Sequence, residues 1–277
     1  MTCDVALIGG GFGASAAALA LLEKGRSVIV LERYPWIGGQ VTSQALCVLD
    51  DLHDPTGETT GVSRRYAEFR RRVRAWYEQS WPLSPLGSAQ IYLNPGLAIC
   101  SHLSAEPHVA HEVLTGWLAE NATAPEQLRI LTGYVPTRMV RSGDRILAAE
   151  AQSLDRSEAV RVEAQFFLDG TETGVTYPLL NLPFRTGSEA RAEFNELHAP
   201  ETARPDALQS FTFCIGVEFI PGGDFRIAKP EGYERMRDRQ PFFLYAPGAS
   251  PEFQARFFEA RRSPQGRYIV PFWSYRS

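Results

Sequence analysis

Glycine and alanine recur near the start of the chain with a spacing that suits phosphate binding. The apolar run Val5 to Ile8 leads into "GGGFGA", where Gly9, Gly11 and Ala14 fill the three defined positions of a G-x-G-x-x-G/A pattern. The first glycine permits a tight turn from strand to helix, and the second lets backbone approach a pyrophosphate. The third position keeps the helix close to the sheet, and the first helical amides face the anion. The candidate diphosphate contacts are Gly9, Gly11, Phe12, Gly13 and Ala14.

An acidic residue follows at the spacing that a dinucleotide site requires. The second apolar run, "SVIVLE", ends at Glu32, 23 positions after Gly9. A carboxylate at the end of the second strand accepts hydrogen bonds from a ribose diol, which favours an adenosine without a 2′-phosphate. Strand, glycine turn, helix, strand and acid together predict a dinucleotide-binding βαβ unit, with Glu32 and the adjoining Arg33 as candidate contacts.

A second glycine pair, Gly38-Gly39, lies beyond Glu32 in "LERYPWIGGQVTSQ". This arrangement resembles the FAD-dependent oxidoreductases with a glutathione-reductase-type FAD-binding fold, whose members commonly carry a "GGQxTxQ" segment here. The resemblance implies that Gly39, Gln40 and Thr42 lie along the FAD diphosphate and approach the flavin, with Gly38 in the same turn. It therefore favours FAD over NAD as the cofactor.

Three strand-like runs over about residues 128–168 resemble the β-meander that flavoproteins insert into this fold. In such proteins the first of these strands passes the adenine, so the resemblance implies that Tyr134 and Val135 are adenine neighbours. No adenine contact follows from the alternation of residues alone.

The last of these runs ends in Asp169-Gly170-Thr171, which is similar to the "DAT" segment of the family. The resemblance implies that these residues close the site near the cofactor. Two positions depart from the family pattern. Gly170 replaces the usual alanine, and Val175 stands where an aspartate is common.

The segment 61–80 has Tyr66, Phe69, Val73 and Trp76 at helical spacing. This pattern predicts an amphipathic helix whose arginines mostly cover its solvated faces. Those arginines are Arg64, Arg65, Arg70, Arg71, Arg72 and Arg74. The following segment, 81–96, is rich in turn residues and is predicted to be a loop.

We expect an α/β protein with two domains. The first, residues 1–175, is a Rossmann-like FAD-binding domain with a parallel sheet, a helical insertion over about 61–125 and the inserted meander. The second, residues 176–277, is a partly β substrate or cap domain, which contains a strand predicted from "QSFTFCIGVEF". The family normally returns to the first domain through a C-terminal segment that contacts the flavin. No such segment occurs before residue 277, so the second domain is expected to be truncated, or completed by a second polypeptide.

Composition excludes several classes of function. The 277 residues are 44% hydrophobic and 22% charged, as in ordinary globular proteins, and the net charge of −4 gives no reason to expect nucleic acid or an anionic membrane as partner. The sequence contains no run of about 18 apolar residues, so no membrane-spanning helix is predicted. The N-terminus lacks the basic region of a signal peptide. The four scattered cysteines form no CxxC pair, and His108 and His111 lack a third metal ligand in a recognisable pattern. We expect a cytoplasmic protein without a metal site.

These features favour an FAD-dependent oxidoreductase that moves hydride or electrons between a small organic substrate and FAD. No residue has a spacing that marks it as the catalytic base, so the catalytic residues stay unassigned. Two alternatives remain open at this point. One is an NAD(H)-dependent dehydrogenase, and the other is a non-catalytic nucleotide-binding fragment or subunit.

Overall fold

The computed structural model describes residues 1–46, 48–49, 51–52, 54, 58–95, 102–209, 211, 214, 222–239, 261–262 and 268–269. Its elements are β1 (Thr2–Ile8), α1 (Phe12–Leu22), β2 (Val28–Glu32), a 3-10 turn (Gly39–Val41), α2 (Arg64–Ser80), α3 (Pro85–Ser88), α4 (Pro107–Asn121), β3 (Leu128–Thr132), β4 (Tyr134–Ser142), β5 (Arg145–Ser153), β6 (Ala159–Asp169), α5 (Thr176–Leu180), α6 (Arg191–Phe194), α7 (Tyr233–Arg239), β7 (Arg261–Arg262) and β8 (Tyr268–Ile269). The chain divides into two compact units. One contains residues 1–47 and 106–215, and the other contains residues 48–105 and 216–277.

The first unit is built on a six-stranded sheet in the order β3-β2-β1-β6-β5-β4. The pairs β3–β2, β2–β1 and β1–β6 are parallel, whereas β6–β5 and β5–β4 are antiparallel. The four parallel strands run in the same direction, so their carboxyl ends lie together at one edge of the sheet. Each connection between them crosses back to the edge where the strands begin. The predicted α/β, Rossmann-like class is therefore confirmed.

The central strands are buried on both faces, as expected for a parallel sheet covered on two sides. On one face, Ala6, Ile8, Ile29 and Leu31 form a core cluster with residues of β4, β5, β6 and α5. Alternation turns Val5, Leu7, Val28 and Val30 to the opposite face. These four residues are also buried, as are the apolar faces of α1 and α4. Continuous apolar runs such as "VIVL" fit a strand in this position.

The structure divides the first strand-like run of the predicted meander into two strands. Gly133, with φ +78°, separates β3 from β4. β3 joins the parallel sheet beside β2, and β6 joins it beside β1. Within this six-stranded sheet, β4 and β5 are therefore the strands whose pairings are all antiparallel. Glycine adopts a left-handed backbone conformation without steric cost, so one element can end and the next begin at Gly133 with no interruption of the apolar pattern in the sequence.

In the second unit the predicted amphipathic helix is confirmed as α2. Ser63 caps its start by accepting a hydrogen bond from the Tyr66 amide (3.2 Å). Arg70 departs from the predicted solvated face, since its side chain is only 1% exposed and pairs with Asp51 at 2.5 Å. Burial and the Asp51 acceptor raise the pKa of Tyr66 to about 12, so this phenol remains a hydrogen-bond donor to the same carboxylate.

Two further predictions concern irregular segments and the C-terminal part. The predicted loop over 81–96 contains one short helix, α3, which Ser84 caps by accepting from the Gly87 amide (3.1 Å). The strand predicted from "QSFTFCIGVEF" lies mostly outside the described residues. No helix in the described ranges combines the length and apolar character needed to cross a bilayer.

Candidate cofactor site

Three loops meet at the carboxyl edge of the parallel strands in the first unit. The Gly9 amide donates to the Leu31 carbonyl in β2 (2.8 Å), and the Gly170 amide donates to the last carbonyl of β1 (2.7 Å). The Gly38 amide donates to the Gly10 carbonyl (2.7 Å). Backbone hydrogen bonds therefore hold the first glycine loop against both the second glycine pair and the turn after β6.

Side chains have no room where these loops meet. Gly9 has φ +89°, and a Cβ there would lie 2.6 Å from the amide nitrogen of Thr171. A Cβ on Gly11 would lie 3.0 Å from the carbonyl oxygen of Gly170. The tight turn predicted for Gly9 agrees with this geometry, whereas the approach of the Gly11 backbone to a pyrophosphate stays a prediction.

A cleft with a cavity of about 460 Å³ opens beside the start of α1. The first amides of a helix have no carbonyl partner within the helix and carry partial positive charge. Among the described residues no Lys or Arg lines the cleft, so backbone amides and neutral polar side chains such as those of Gln40 and Thr171 are the groups there that can compensate an anion. The lining residues are Leu7, Gly11, Phe12, Gly13, Ala14, Ala17, Gln40, Leu168, Asp169, Gly170, Thr171 and Glu172.

Glu32 connects the end of β2 to the first glycine loop. Its carboxylate is 7% exposed and accepts hydrogen bonds from the amides of Gly10 (2.5 Å) and Tyr34 (2.7 Å). It thus orders the loop directly, in addition to the ribose contact predicted for it. Arg33 is exposed and its guanidinium lies 5.8 Å from the centroid of the Tyr34 ring.

The second glycine pair forms the neighbouring turn. Gly38 has φ +109°, and a Cβ there would lie 2.9 Å from Leu114 of α4. The Thr42 hydroxyl is buried and donates to the Ile37 carbonyl (2.8 Å), so in this structure it stabilises the turn. Gln40 is exposed and lines the cleft.

Asp169 at the end of β6 organises the third loop. Its Oδ1 accepts from the amide (2.8 Å) and hydroxyl (2.6 Å) of Thr171, and its Oδ2 accepts from the amide (3.2 Å) and hydroxyl of Thr176. Partial burial opposes the charge, but these hydrogen bonds outweigh it and hold the pKa of Asp169 below its ordinary value. The carboxylate therefore fixes the turn that carries Gly170 into the cleft.

Val135 lies in β4 and does not line the cleft. Val135 comes three residues after Thr132, the last residue of β3. Thr132 pairs in register with Glu32 at the end of β2. The structure therefore brings the chain before Val135 to the Glu32 edge of the sheet, while the adenine contact stays a prediction. The Tyr134 hydroxyl donates to Glu158 (2.7 Å).

The histidines considered as metal ligands have other surroundings. The His111 ring stacks on Trp36 with centroids 5.4 Å apart. Burial lowers the pKa of His111, against the opposing effect of a hydrogen bond to the Ile37 backbone. Within the described ranges, no group of three His, Cys, Asp or Glu side chains is arranged to hold a metal ion.

Glu172 is a site residue that the sequence pattern did not identify. Its carboxylate Oε1 lies 2.9 Å from the position of a Cβ on Gly11, and it also contacts the corresponding position on Gly39. Its location three residues after the end of β6, in the loop that follows the "DAT"-like segment, was the only sequence signal.

Comparison with known protein families identifies the family of this chain. Residues 4–268 match the family model described as FAD dependent oxidoreductase. The chain belongs to the FAD dependent oxidoreductase family. FAD is therefore its cofactor, rather than NAD, because the match extends over the predicted diphosphate cradle and well beyond it.

Comparison with curated proteins found no significant match. Among solved structures, the myxobacterial chondrochloren halogenase CndH is 11% identical, with a TM-score of 0.39, 61% of this chain covered and 37% of that one. OxyS anhydrotetracycline hydroxylase from Streptomyces rimosus is 19% identical, with a TM-score of 0.41, 67% of this chain covered and 35% of that one. A flavoprotein/dehydrogenase from Cytophaga hutchinsonii is 14% identical, with a TM-score of 0.42, 68% of this chain covered and 44% of that one. This chain spans less than half the length of each of these three proteins.

The shape of the cleft is compatible with a dinucleotide. Gly9 and Gly11 leave no room for side chains of their own, and the first residues of α1 line the cleft. Glu172 is an exposed side chain that enters the cleft from one loop. Its carboxylate is at the far end of a flexible side chain, so rotation of that side chain would free the space beside Gly11.

Proposed function

We propose that this chain holds FAD for an oxidoreductase that moves hydride or electrons between a small organic substrate and the flavin. The supporting observation is the glycine cradle at the start of α1, where three loops converge and a Cβ on Gly11 would meet the Gly170 carbonyl at 3.0 Å. When bound, FAD supplies the redox chemistry. The protein binds the diphosphate, orders the loops and shapes the pocket.

We assign the diphosphate to the backbone of Gly11, Phe12, Gly13 and Ala14, with Gly39 and Gln40 beside it. Glu32 contacts the adenosine ribose, and Val135 lies near the adenine. Membership of the glutathione-reductase-type subgroup is part of the proposal, and it is supported by the "GGQVTSQ" segment at the second glycine turn. We further propose that residues 1–175 form the FAD-binding domain and residues 176–277 a substrate or cap domain.

The proposed setting is the cytoplasm, with a small molecule as substrate and a second polypeptide as a candidate supplier of the flavin-contacting wall. The competing function is a non-catalytic nucleotide-binding subunit.

The first test is cofactor retention. We expect the purified chain to show flavin absorbance and to release FAD on denaturation. Gly11→Ala places a methyl group against the Gly170 carbonyl and in the diphosphate position, so it should weaken FAD binding at least about tenfold, equal to about 1.4 kcal/mol. The measurement is titration of the apoprotein with FAD by flavin fluorescence.

The matched control is Gly116→Ala, which makes the same substitution on an exposed face of α4, where no heavy atom of the described residues outside the helix's own neighbouring backbone lies within 4 Å of the added Cβ. It should bind FAD as wild type does. Equal FAD affinity in the two variants would reject the cradle. FAD binding without turnover, measured with artificial electron acceptors and candidate amine, alcohol and acid substrates, would favour the non-catalytic subunit.

A further inference from the structure

We propose that Glu172 is an electrostatic gate on the diphosphate site, which opposes binding of phosphate-bearing ligands until its side chain rotates out of the cleft. This inference rests on the proposed function and extends it, because it assigns a role in cofactor loading to a residue outside the glycine motifs.

The position of Glu172 is the first observation. Its Oε1 lies against Gly11 and Gly39 together, 2.9 Å from where a Cβ on Gly11 would be. In the proposed function, the diphosphate lies against the backbone of Gly11 and beside Gly39. The carboxylate and the diphosphate therefore require the same space.

The charges around the cleft are the second observation. In the part of the chain that the structure describes, the acidic lining residues are Asp169 and Glu172, and no Lys or Arg lines the cleft. The oxygens of Asp169 accept hydrogen bonds from Thr171 and Thr176. Glu172 accepts no hydrogen bond and forms no ion pair in the described part of the chain, so its charge is uncompensated and faces the anion site.

Mobility of the side chain makes the blockage reversible. Glu172 is exposed, and it follows a loop whose backbone Asp169 fixes, so rotation about its side-chain bonds moves the carboxylate to solvent without moving the cradle. A unit negative charge that stays within a few ångströms of a diphosphate continues to repel it in a partly solvated site. Glu172 should therefore slow association and weaken affinity for any ligand that carries a phosphate.

The test compares wild type with Glu172→Gln, which keeps the shape and removes the charge. The probes are FAD, ADP and adenosine, titrated against the full chain by flavin fluorescence or calorimetry. We expect Glu172→Gln to bind FAD and ADP about tenfold more tightly at low salt, with a faster association rate, and adenosine equally. The gain should shrink as salt rises, because screening weakens the repulsion in wild type.

Glu126→Gln is the matched control. Glu126 is exposed and precedes β3, at the opposite edge of the sheet, so its neutralisation changes the net charge equally but leaves the cleft unchanged. Equal FAD and ADP affinities in wild type and Glu172→Gln would overturn the gate. Weaker FAD binding in Glu172→Gln would also overturn it, because that result makes Glu172 a ligand. Absence of FAD and ADP binding by both proteins would reject the proposed function itself.

Discussion

At the scale of single residues, the structure explains one departure from the family pattern. Gly170 stands where alanine is usual, and a Cβ there would lie 2.5 Å from the Cβ of Ala14. Ala14 occupies the third position of the glycine motif, where glycine is the alternative. The two positions therefore share the space of one methyl group.

This pairing predicts a coupled effect on stability. Gly170→Ala should lower the free energy of unfolding by about 1–3 kcal/mol, because it overpacks a closed contact. The double variant Gly170→Ala with Ala14→Gly should lose less stability than the sum of the losses of the two single variants, because the second substitution makes room for the first. Urea denaturation of wild type, both single variants and the double variant measures the coupling. Strictly additive losses would contradict the shared-space explanation.

Asp169 gives the pH-dependent prediction at this scale. Its pKa is lowered in the folded protein, so its stabilising effect is present above the ordinary aspartate pKa of about 4 and is lost as pH falls through the lower folded value. Asp169→Asn should therefore cost about 1 kcal/mol at pH 6 and progressively less below pH 4. Urea denaturation across that pH range is the measurement.

Asp144→Asn supplies the baseline for removing one charge, because Asp144 is exposed in the turn between β4 and β5. A cost for Asp169→Asn that stayed constant from pH 6 to the acid limit would show that the charge of Asp169 does not hold the loop.

At the scale of elements, Glu32 links the second strand to the start of the first helix. Its carboxylate binds two backbone amides, those of Gly10 and Tyr34, and it is buried. Because a buried amide without an acceptor costs about 1–3 kcal/mol, Glu32→Ala should destabilise the chain by about 2 kcal/mol or more even without FAD.

Thermal and urea unfolding of the FAD-free protein distinguishes this role from a ribose contact, which needs the cofactor. Glu126→Ala removes an exposed glutamate and should change stability by less than about 0.5 kcal/mol. Full stability of the Glu32→Ala protein, with loss of FAD binding alone, would mean that the two amide bonds contribute nothing to the fold.

At the scale of the whole molecule, local patterns predicted the elements that carry strong periodicity or glycine signals. β1, α1 and β2 were predicted from the apolar runs around Gly9 and from Glu32, and α2 from its helical spacing. The division at Gly133 and the burial of Arg70 were missed. Both depend on distant partners: β3 pairs with β2, and Arg70 pairs with Asp51.

The same distinction applies to the site. The sequence by itself determined the glycine turn, the acid at the end of β2 and the family, because adjacent residues set the backbone conformation that a diphosphate requires. Only the tertiary structure decided that Gly170 and Ala14 share one space and that Glu172 reaches Gly11. These contacts join residues far apart in the chain, and they arise because β6 pairs with β1 and ends at the same edge of the sheet.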